Sequence, residues 1–399
     1  MQLTPDWIGS VFDQLDRRLS PGAAHPVAVA VSGGGDSMAL LRLAASWASR
    51  RDRRLLVLSV DHGLNPQARL WNARVAEAAR ALGAHWRGLT WAAPKTDCGV
   101  QAAARRARHA LLAGAAREAD ARVVLMGHTA DDIAEADWMR VQGTPLGRLR
   151  PWSPSPVWPD GRGLMLLRPL LDVSRADLRR WLTGEGADWV EDPANADPRF
   201  LRSRARAAAP ALQPRPTATP DAPFDLACEA ETGVIAAPVH TPWLGPALAC
   251  ASGCEAIAAA GALNRLRARL EAGDASSLAG AVARPGPDGL VISREPGRRP
   301  PPEQPLPIGD VLIWDGRFAV QASQAGWRIG PAAGRRAQLS ASDRARLNDL
   351  PASARGVHPV LFQSPDARPV LADPAVEVSC LVASRLRLAC GQVESEGDL

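Results

Sequence analysis

Residues Val27 to Leu41 read VAVAVSGGGDSMALL, and their reading decides the fold. Small and β-branched residues make a buried strand, three glycines turn the chain, and a helical apolar pattern runs from Ser37 to Ser49. Glycines 33, 34 and 35 allow positive φ and remove the Cβ atoms that would hold an anion off the backbone. The amides of the turn and the unpaired N–H groups of a starting helix then converge on one place, which suits phosphate. Ser32 and Ser37 add hydroxyl donors, while Asp36 can serve as helix cap or as a carboxylate at the phosphates. No Gly-Lys-Ser/Thr follows and no G-x-G-x-x-G is present, so this is neither a Walker loop nor a dinucleotide loop.

Outward from the loop the alternation continues. Arg54–Val60 predicts a second strand, about 66–82 a helix, His85–Trp91 a third strand, Val100–Ala119 an Ala/Arg-rich helix, and Arg122–Met126 a fourth strand with a helix from Ala130. Apolar strands alternating with long helices imply an α/β fold, a parallel sheet with helices on both faces. Gly143–Arg162, rich in Pro, Gly and Trp, predicts a long loop. Ser174 predicts the N-cap of a helix to about Thr183, and 199–209 a further helix. The Pro-rich run 211–223 predicts a linker. The expected division is thus a catalytic domain over 1–210 with a helical extension, the linker, and a smaller α+β region over 224–399. In that region Glu255–Ala272 predicts a helix, Val311–Val320 and Val357–Leu371 predict strands, and Arg284–Pro307 predicts an irregular stretch. A chain cut near Ala209 is expected to stay folded.

In an open parallel sheet, ligands bind at the carboxyl ends of the strands. Asp61-His62-Gly63 ends the second strand there. His62 beside the phosphate loop is a nucleotide-site candidate, although a lone histidine at a strand end is commonly structural. His128, Asp131, Asp132 and Glu135 follow the fourth strand at i, i+3, i+4 and i+7, one face of a helix. Converging carboxylates there can hold Mg²⁺ or clamp an ammonium group; a solvated acidic face is the bland alternative. Their spacing matches no standard metal-ligand pattern. Arg105, Arg106 and Arg108, and later Arg199, Arg202, Arg204 and Arg206, can line a phosphate backbone or simply face solvent.

Composition narrows the class. The 399 residues hold 47 Lys+Arg against 42 Asp+Glu, with 46% hydrophobic residues, too apolar for disorder. The basic excess lies in residues 1–210, and nearly all of it is Arg, which suits bidentate phosphate contacts. A codon-composition bias explains the arginines equally well. No run approaches the roughly 20 apolar residues of a membrane helix, and the start carries acids without an apolar core, unlike a signal peptide. Six scattered cysteines with no C-x-x-C pair argue against a disulfide scaffold, a zinc ribbon or an iron–sulfur cluster. A cytoplasmic location without membrane association is expected.

The hexapeptide at 32–37 resembles the pyrophosphate loop of enzymes that split ATP into AMP and pyrophosphate, whose fold is adenine nucleotide alpha hydrolase-like and Rossmann-like. With VDHGL at 60–64, QAAARRAR at 101–108, GHTADDIAE at 127–135, RPLL at 168–171 with Ser174-Arg175, and WVEDPAN at 189–195 with Asp197, Phe200, Arg202 and Arg206, the chain resembles the tRNA(Ile)-lysidine synthetase family. The resemblance spans about 26–206. It implies that ATP adenylates O2 of the wobble cytidine of a CAU-anticodon isoleucine tRNA, and that L-lysine then displaces AMP. It further implies that Ser32, Gly33, Gly34, Gly35, Asp36, Ser37 and His62 hold ATP with Mg²⁺, that Asp132 and Glu135 take the lysine ammonium, and that Asp36, His128, Asp132 and Glu135 are catalytic. Arg105, Arg108, Arg202 and Arg206 become candidates for substrate contacts. The family's usual D-D-Q-A-E-T reads D-D-I-A-E-A here, so Ile133 and Ala136 change the local hydrogen bonding. Residues 223–399 show only a faint resemblance, chiefly in LIWDGRF at 312–318, to the C-terminal tRNA-binding region of longer family members. The competing readings are a tRNA 2-thiolase using the same adenylation, which needs cysteines where residues 1–210 hold only Cys98, and a non-catalytic nucleotide- or RNA-binding protein.

Overall fold

Consecutive residues of the first strands pack into different cores. Val27, Val29, Val57, Val123 and Leu125 join one buried cluster, while Ala28, Leu56, Leu58, Val124 and Met126 join another. A period of two with both sets apolar is what a sheet covered on both faces requires. The computed structural model describes residues 5–63, 65–92, 99–144, 147–192, 199, 201–208, 223–297 and 300–399. It divides into two units, Met1–Asp221 with Val393–Leu399, and Ala222–Gln392.

The first unit runs α1 (Asp6–Arg18), β1 (Val27–Ala30), α2 (Gly35–Arg50), β2 (Leu55–Asp61), α3 (Ala68–Ala81), β3 (His85–Thr90), α4 (Val100–Glu118), β4 (Val123–Met126), α5 (Ala130–Val141), β5 (Trp152–Pro154), β6 (Met165–Leu167), α6 (Arg175–Gly184) and α7 (Leu201–Ala208). The sheet order is β3-β2-β1-β4-β6-β5, parallel except for β5 against β6. The chain leaves β1 toward one edge and returns beside it as β4, so strand order reverses between them. Helices α1, α2 and α6 contribute Leu15, Trp47 and Leu178 to one core; α4 contributes Leu112 and Ala116 to the other. Each such side chain taken from water stabilises by roughly 1.5–3 kcal/mol when large.

Two details depart from expectation. The stretch 143–162 is not wholly irregular, because Trp152–Pro154 pairs with β6 as an edge strand, where proline's missing N–H costs no ladder bond. The last seven residues lie with the first unit rather than with the C-terminal region. Glu396 is the reason: its carboxylate receives two bonds from Arg53, Nη1 at 2.8 Å and Nη2 at 2.9 Å, with both side chains buried. The expected linker lies, but for Pro223, outside the described residues.

The second unit runs β7 (Ala227–Cys228), β8 (Ile235–Ala237), α8 (Leu244–Ser252), α9 (Ala260–Glu271), β9 (Ser276–Leu278), β10 (Ala281–Gly286), β11 (Gly289–Arg294), β12 (Gln304–Pro305), β13 (Val311–Trp314), β14 (Phe318–Ala322), β15 (Arg328–Pro331), α10 (Ala341–Asp349), β16 (Pro359–Phe362), β17 (Val376–Cys380) and α11 (Val382–Ala389). Its sheets are β7-β8-β11-β10-β9, β12-β15-β16 and β13-β14-β17. The stretch 284–307, expected to be irregular, contains most of the β10–β11 hairpin. The strand expected over 311–320 is two strands, broken by Asp315 and Gly316 at φ +50° and +65°. Asp315 is held there between Arg294 and Arg317, both at hydrogen-bond distance, and Trp314 donates its Nε1–H to the carbonyl of Pro302. The WDGRF motif is therefore a buttressed hairpin turn. Among the described residues no helix is long and apolar enough to cross a membrane.

Candidate active site

Three strand ends meet where the order reverses, and each delivers one expected motif. After β1 the chain turns through Gly33, at φ +90°, and enters α2 with Gly34 as N-cap and no side chain capping it among the described residues. Ser37 Oγ donates to the carbonyl of Gly34 at 2.8 Å and accepts from the Ser32 amide at 3.2 Å, which ties the loop into a ring. Val190 donates its N–H to the Gly33 carbonyl. The first amides of α2 are left for an anion. Gly127, just beyond β4, lies so close that a Cβ there would stand 3.2 Å from the Ser37 Cα. Any larger residue would push the loop back by a few tenths of an ångström.

The loop, His62, Arg108, His128, Asp36, Asp132, Arg175, Arg202 and Arg206 line one cavity of about 1100 Å³. His62 stacks edge-on against Trp91 at 6.2 Å, and burial, with Arg108 nearby, lowers its pKa. Arg105 does not line the cavity; its charge acts on Asp132 and Arg202.

Asp132 and Glu135 of the acidic face are buried, whereas Asp131 is 38% exposed. Asp132 caps its own helix: its Oδ2 accepts from the Thr129 amide at 2.8 Å and from Thr129 Oγ1 at 3.2 Å. That fixes the rotamer and turns Oδ1 toward Arg202 Nη2, which donates to it. Glu135, 2% exposed, accepts from Arg175 Nη1 at 3.1 Å, Arg202 Nε at 2.9 Å and Arg206 Nε at 2.9 Å. Ile133, in the altered position of the motif, is buried.

Arg175 is the residue that sequence reasoning passed over as a site residue. It opens α6 directly after its cap Ser174, donates Nε to Asp36 Oδ2 at 3.1 Å, and gives its backbone N–H to Asp131 Oδ2 at 2.7 Å. Burial works against its charge, but Asp36, Glu135 and Asp132 outweigh that and raise its pKa. The signal available was its place in the Ser174-Arg175 pair; its role depends on tertiary proximity to residues nearly 140 positions away. Asp36 shows the opposite balance, its pKa raised by burial more than Arg175 lowers it. Asp36 Oδ1 is buried with no hydrogen-bond partner among the described residues.

A cationic wall faces these carboxylates. Burial beside Arg105 and Arg202 lowers the Arg108 pKa to about 10, and burial beside Arg105 lowers Arg168 to about 10. Burial among the same arginines holds His128 well below its ordinary range, so it is neutral at neutral pH, with Nδ1 unpartnered among the described residues. His109 is likewise pushed down, to about 3. No group of three or more His, Cys, Asp or Glu among the described residues could by itself hold a metal ion. Pro193 through Asp197 and Phe200 lie outside the described residues, as does Cys98.

Such a site pairs an amide nest with alternating carboxylates and guanidiniums, which suits a polyphosphate and a cationic partner together. A family model described as a PP-loop domain matches residues 10–212. A tRNA(Ile)-lysidine synthase from Caulobacter vibrioides is 43% identical over 399 residues, covering 96% of this chain and 97% of its own. One from Hyphomonas neptunium is 46% identical over 187 residues, 45% of this chain and 50% of its own. Among solved structures, a U34-tRNA thiolase from Methanococcus maripaludis aligns with a TM-score of 0.41 at 15% identity, covering 51% of this chain and 71% of its own. The matched span 10–212 contains the phosphate loop and the whole carboxylate–guanidinium cluster, and the Caulobacter relative extends the likeness along both chains: this protein belongs to the tRNA(Ile)-lysidine synthase family.

Proposed function

We propose that this chain attaches L-lysine to C2 of the wobble cytidine of a CAU-anticodon isoleucine tRNA, at the expense of ATP, in the cytoplasm. The observation that carries the reading is the cavity lined by the phosphate loop, Asp132, Arg175, Arg202 and Arg206, with Glu135 paired to the same three arginines. An oxygen on a pyrimidine ring leaves poorly, whereas the same oxygen esterified to AMP leaves well. Cytidine O2 therefore attacks the α-phosphorus, the bond to pyrophosphate breaks, and the amides at Ser32–Ser37 take the departing charge. Asp36, whose Oδ1 is a buried acceptor without a partner among the described residues, would be the residue to hold Mg²⁺, and the ion would offset phosphate charge. Asp132 and Glu135 orient the ε-amine, which must lose a proton before it attacks C2. Neutral His128 lines the same cavity and is the candidate to take that proton, although burial among arginines makes it a weak base. The C2–O bond then breaks and AMP departs. Arg105, Arg108, Arg202 and Arg206 offer phosphate contacts. Isoleucine and methionine tRNAs with the same anticodon differ only elsewhere, and we assign part of that discrimination to the second unit. The thiolase alternative lacks support: the first unit's only cysteine is Cys98.

The test is AMP release by the purified protein with ATP, lysine and the CAU isoleucine transcript. Release that depends on both lysine and the wobble cytidine supports the reading. Release that persists with a wobble C-to-U transcript refutes it.

A further inference from the structure

The two carboxylates assigned to the substrate ammonium are already full. Both oxygens of Glu135 accept from guanidiniums, and the side chain is 2% exposed. Asp132 gives one oxygen to Thr129 and the other to Arg202, and is 8% exposed. Every oxygen of the pair already accepts from a donor, although Asp132 borders the cavity. Arg202 bridges the pair with Nε on Glu135 and Nη2 on Asp132, filling the position a substrate cation would need.

The three guanidiniums are not equivalent. Arg175 is 12% exposed and also holds Asp36, so it belongs to the fixed frame. Arg202 and Arg206 sit on the eight-residue α7, are 45% and 33% exposed, and both border the cavity that the phosphate loop borders. A phosphate entering that cavity therefore meets two arginines whose forked donors match its oxygens. Moving from carboxylate to phosphate keeps each guanidinium paired and leaves Glu135 and Asp132 with Arg175 alone, in need of a second cation.

Resting on the carboxylate assignment above, we propose an ion exchange: Arg202, assisted by Arg206, closes the amine subsite in the ligand-free protein, and a bound phosphate draws both arginines away so that lysine enters second. Arg202 is thus a positioning residue that couples the amine subsite to the anion. The coupling keeps an abundant amino acid out of an uncharged site and admits it once the nucleotide or the tRNA backbone is in place. Affinities for lysine and for the anion must rise together, because coupling between sites is reciprocal.

Calorimetric titration of L-lysine into the full chain tests this, alone, with α,β-methylene-ATP, and with the CAU transcript. Wild-type protein should bind lysine about tenfold or more tightly once either phosphate ligand is present, the loss of one charge-assisted contact. Arg202→Ala should bind lysine about tenfold or more tightly with no ligand, and should gain little from either. Arg202→Lys should fall between, since an ammonium cannot bridge both carboxylates as the fork does. A merely structural role would weaken lysine binding in Arg202→Ala, and that result, or unchanged affinity with the melting temperature intact, overturns the exchange. Equal wild-type affinity with and without phosphate ligands overturns it as well. Should no form bind lysine, and AMP release prove insensitive to lysine, the carboxylate assignment itself fails and the exchange with it.

Discussion

Glu396→Ala should destabilise a unit whose proposed catalytic residues all lie more than 180 positions earlier. Glu396 and Arg53 have side chains 2% and 0% exposed, joined by two bonds at 2.8 and 2.9 Å. Glu396 Oε2 also accepts from the Ser20 amide at 2.9 Å, and Arg53 donates to the carbonyls of Ser20 and His25. Removing the carboxylate strands a buried guanidinium and a backbone N–H. Breaking a buried pair from one side costs about 3–5 kcal/mol, which for a unit of this size lowers Tm by roughly 6–20 °C. Deleting 393–399 should cost at least as much, because Trp152 Nε1 also loses the carbonyl of Val393, at 2.7 Å. A chain ending near Ala209 lacks the same pair and should melt well below the full chain. The double variant Arg53→Met with Glu396→Leu should recover most of the loss, since it removes both charges from the interior. Thermal unfolding followed by circular dichroism measures each variant. A Glu396→Ala transition within 1 °C of wild type would show that the tail does not carry this load.

Asp36→Ala should lower AMP formation by about 10²-fold or more and leave the melting temperature near wild type, because the residue lies in the cavity and not in a core; full activity would remove the phosphate-loop assignment. Asp132→Asn and Glu135→Gln should raise the lysine KM far more than the ATP KM, and equal effects on both substrates would point to a general structural role. The buried His109 titrates near 3 when folded, as burial and neighbouring arginines oppose its charge. The unfolded chain therefore takes up a proton near 6.5 that the folded one refuses, and stability falls as pH drops from about 6.5 toward 3. His109→Gln should flatten the dependence of Tm on pH between 7 and 5, and an unchanged slope would reject the assignment.

The sequence by itself determined the sheet and its loop, because both depend on local chemistry. Alternating apolar residues at 27–30, 55–58 and 123–126 serve two cores whatever packs on them, and three glycines before a helix make an amide nest without help from distant residues. It also located Asp132 and Glu135 on one helix face, since that follows from 3.6 residues per turn. What covers that face only the tertiary structure decided. Asp132 and Glu135 could equally have met solvent; Arg175, Arg202 and Arg206 arrive from 40 to 71 positions away, and nothing in their spacing announces it. The Arg53–Glu396 pair, 343 positions apart, is the extreme case. In LIWDGRF the apolar run hid a turn that its own Asp-Gly pair favours, since both residues take left-handed φ, and the tertiary structure adds the pairing of Asp315 with Arg294. Local rules fix what each segment can form; partners for buried charge come from whichever segment the fold brings near, and an unpaired charge is too costly to leave inside.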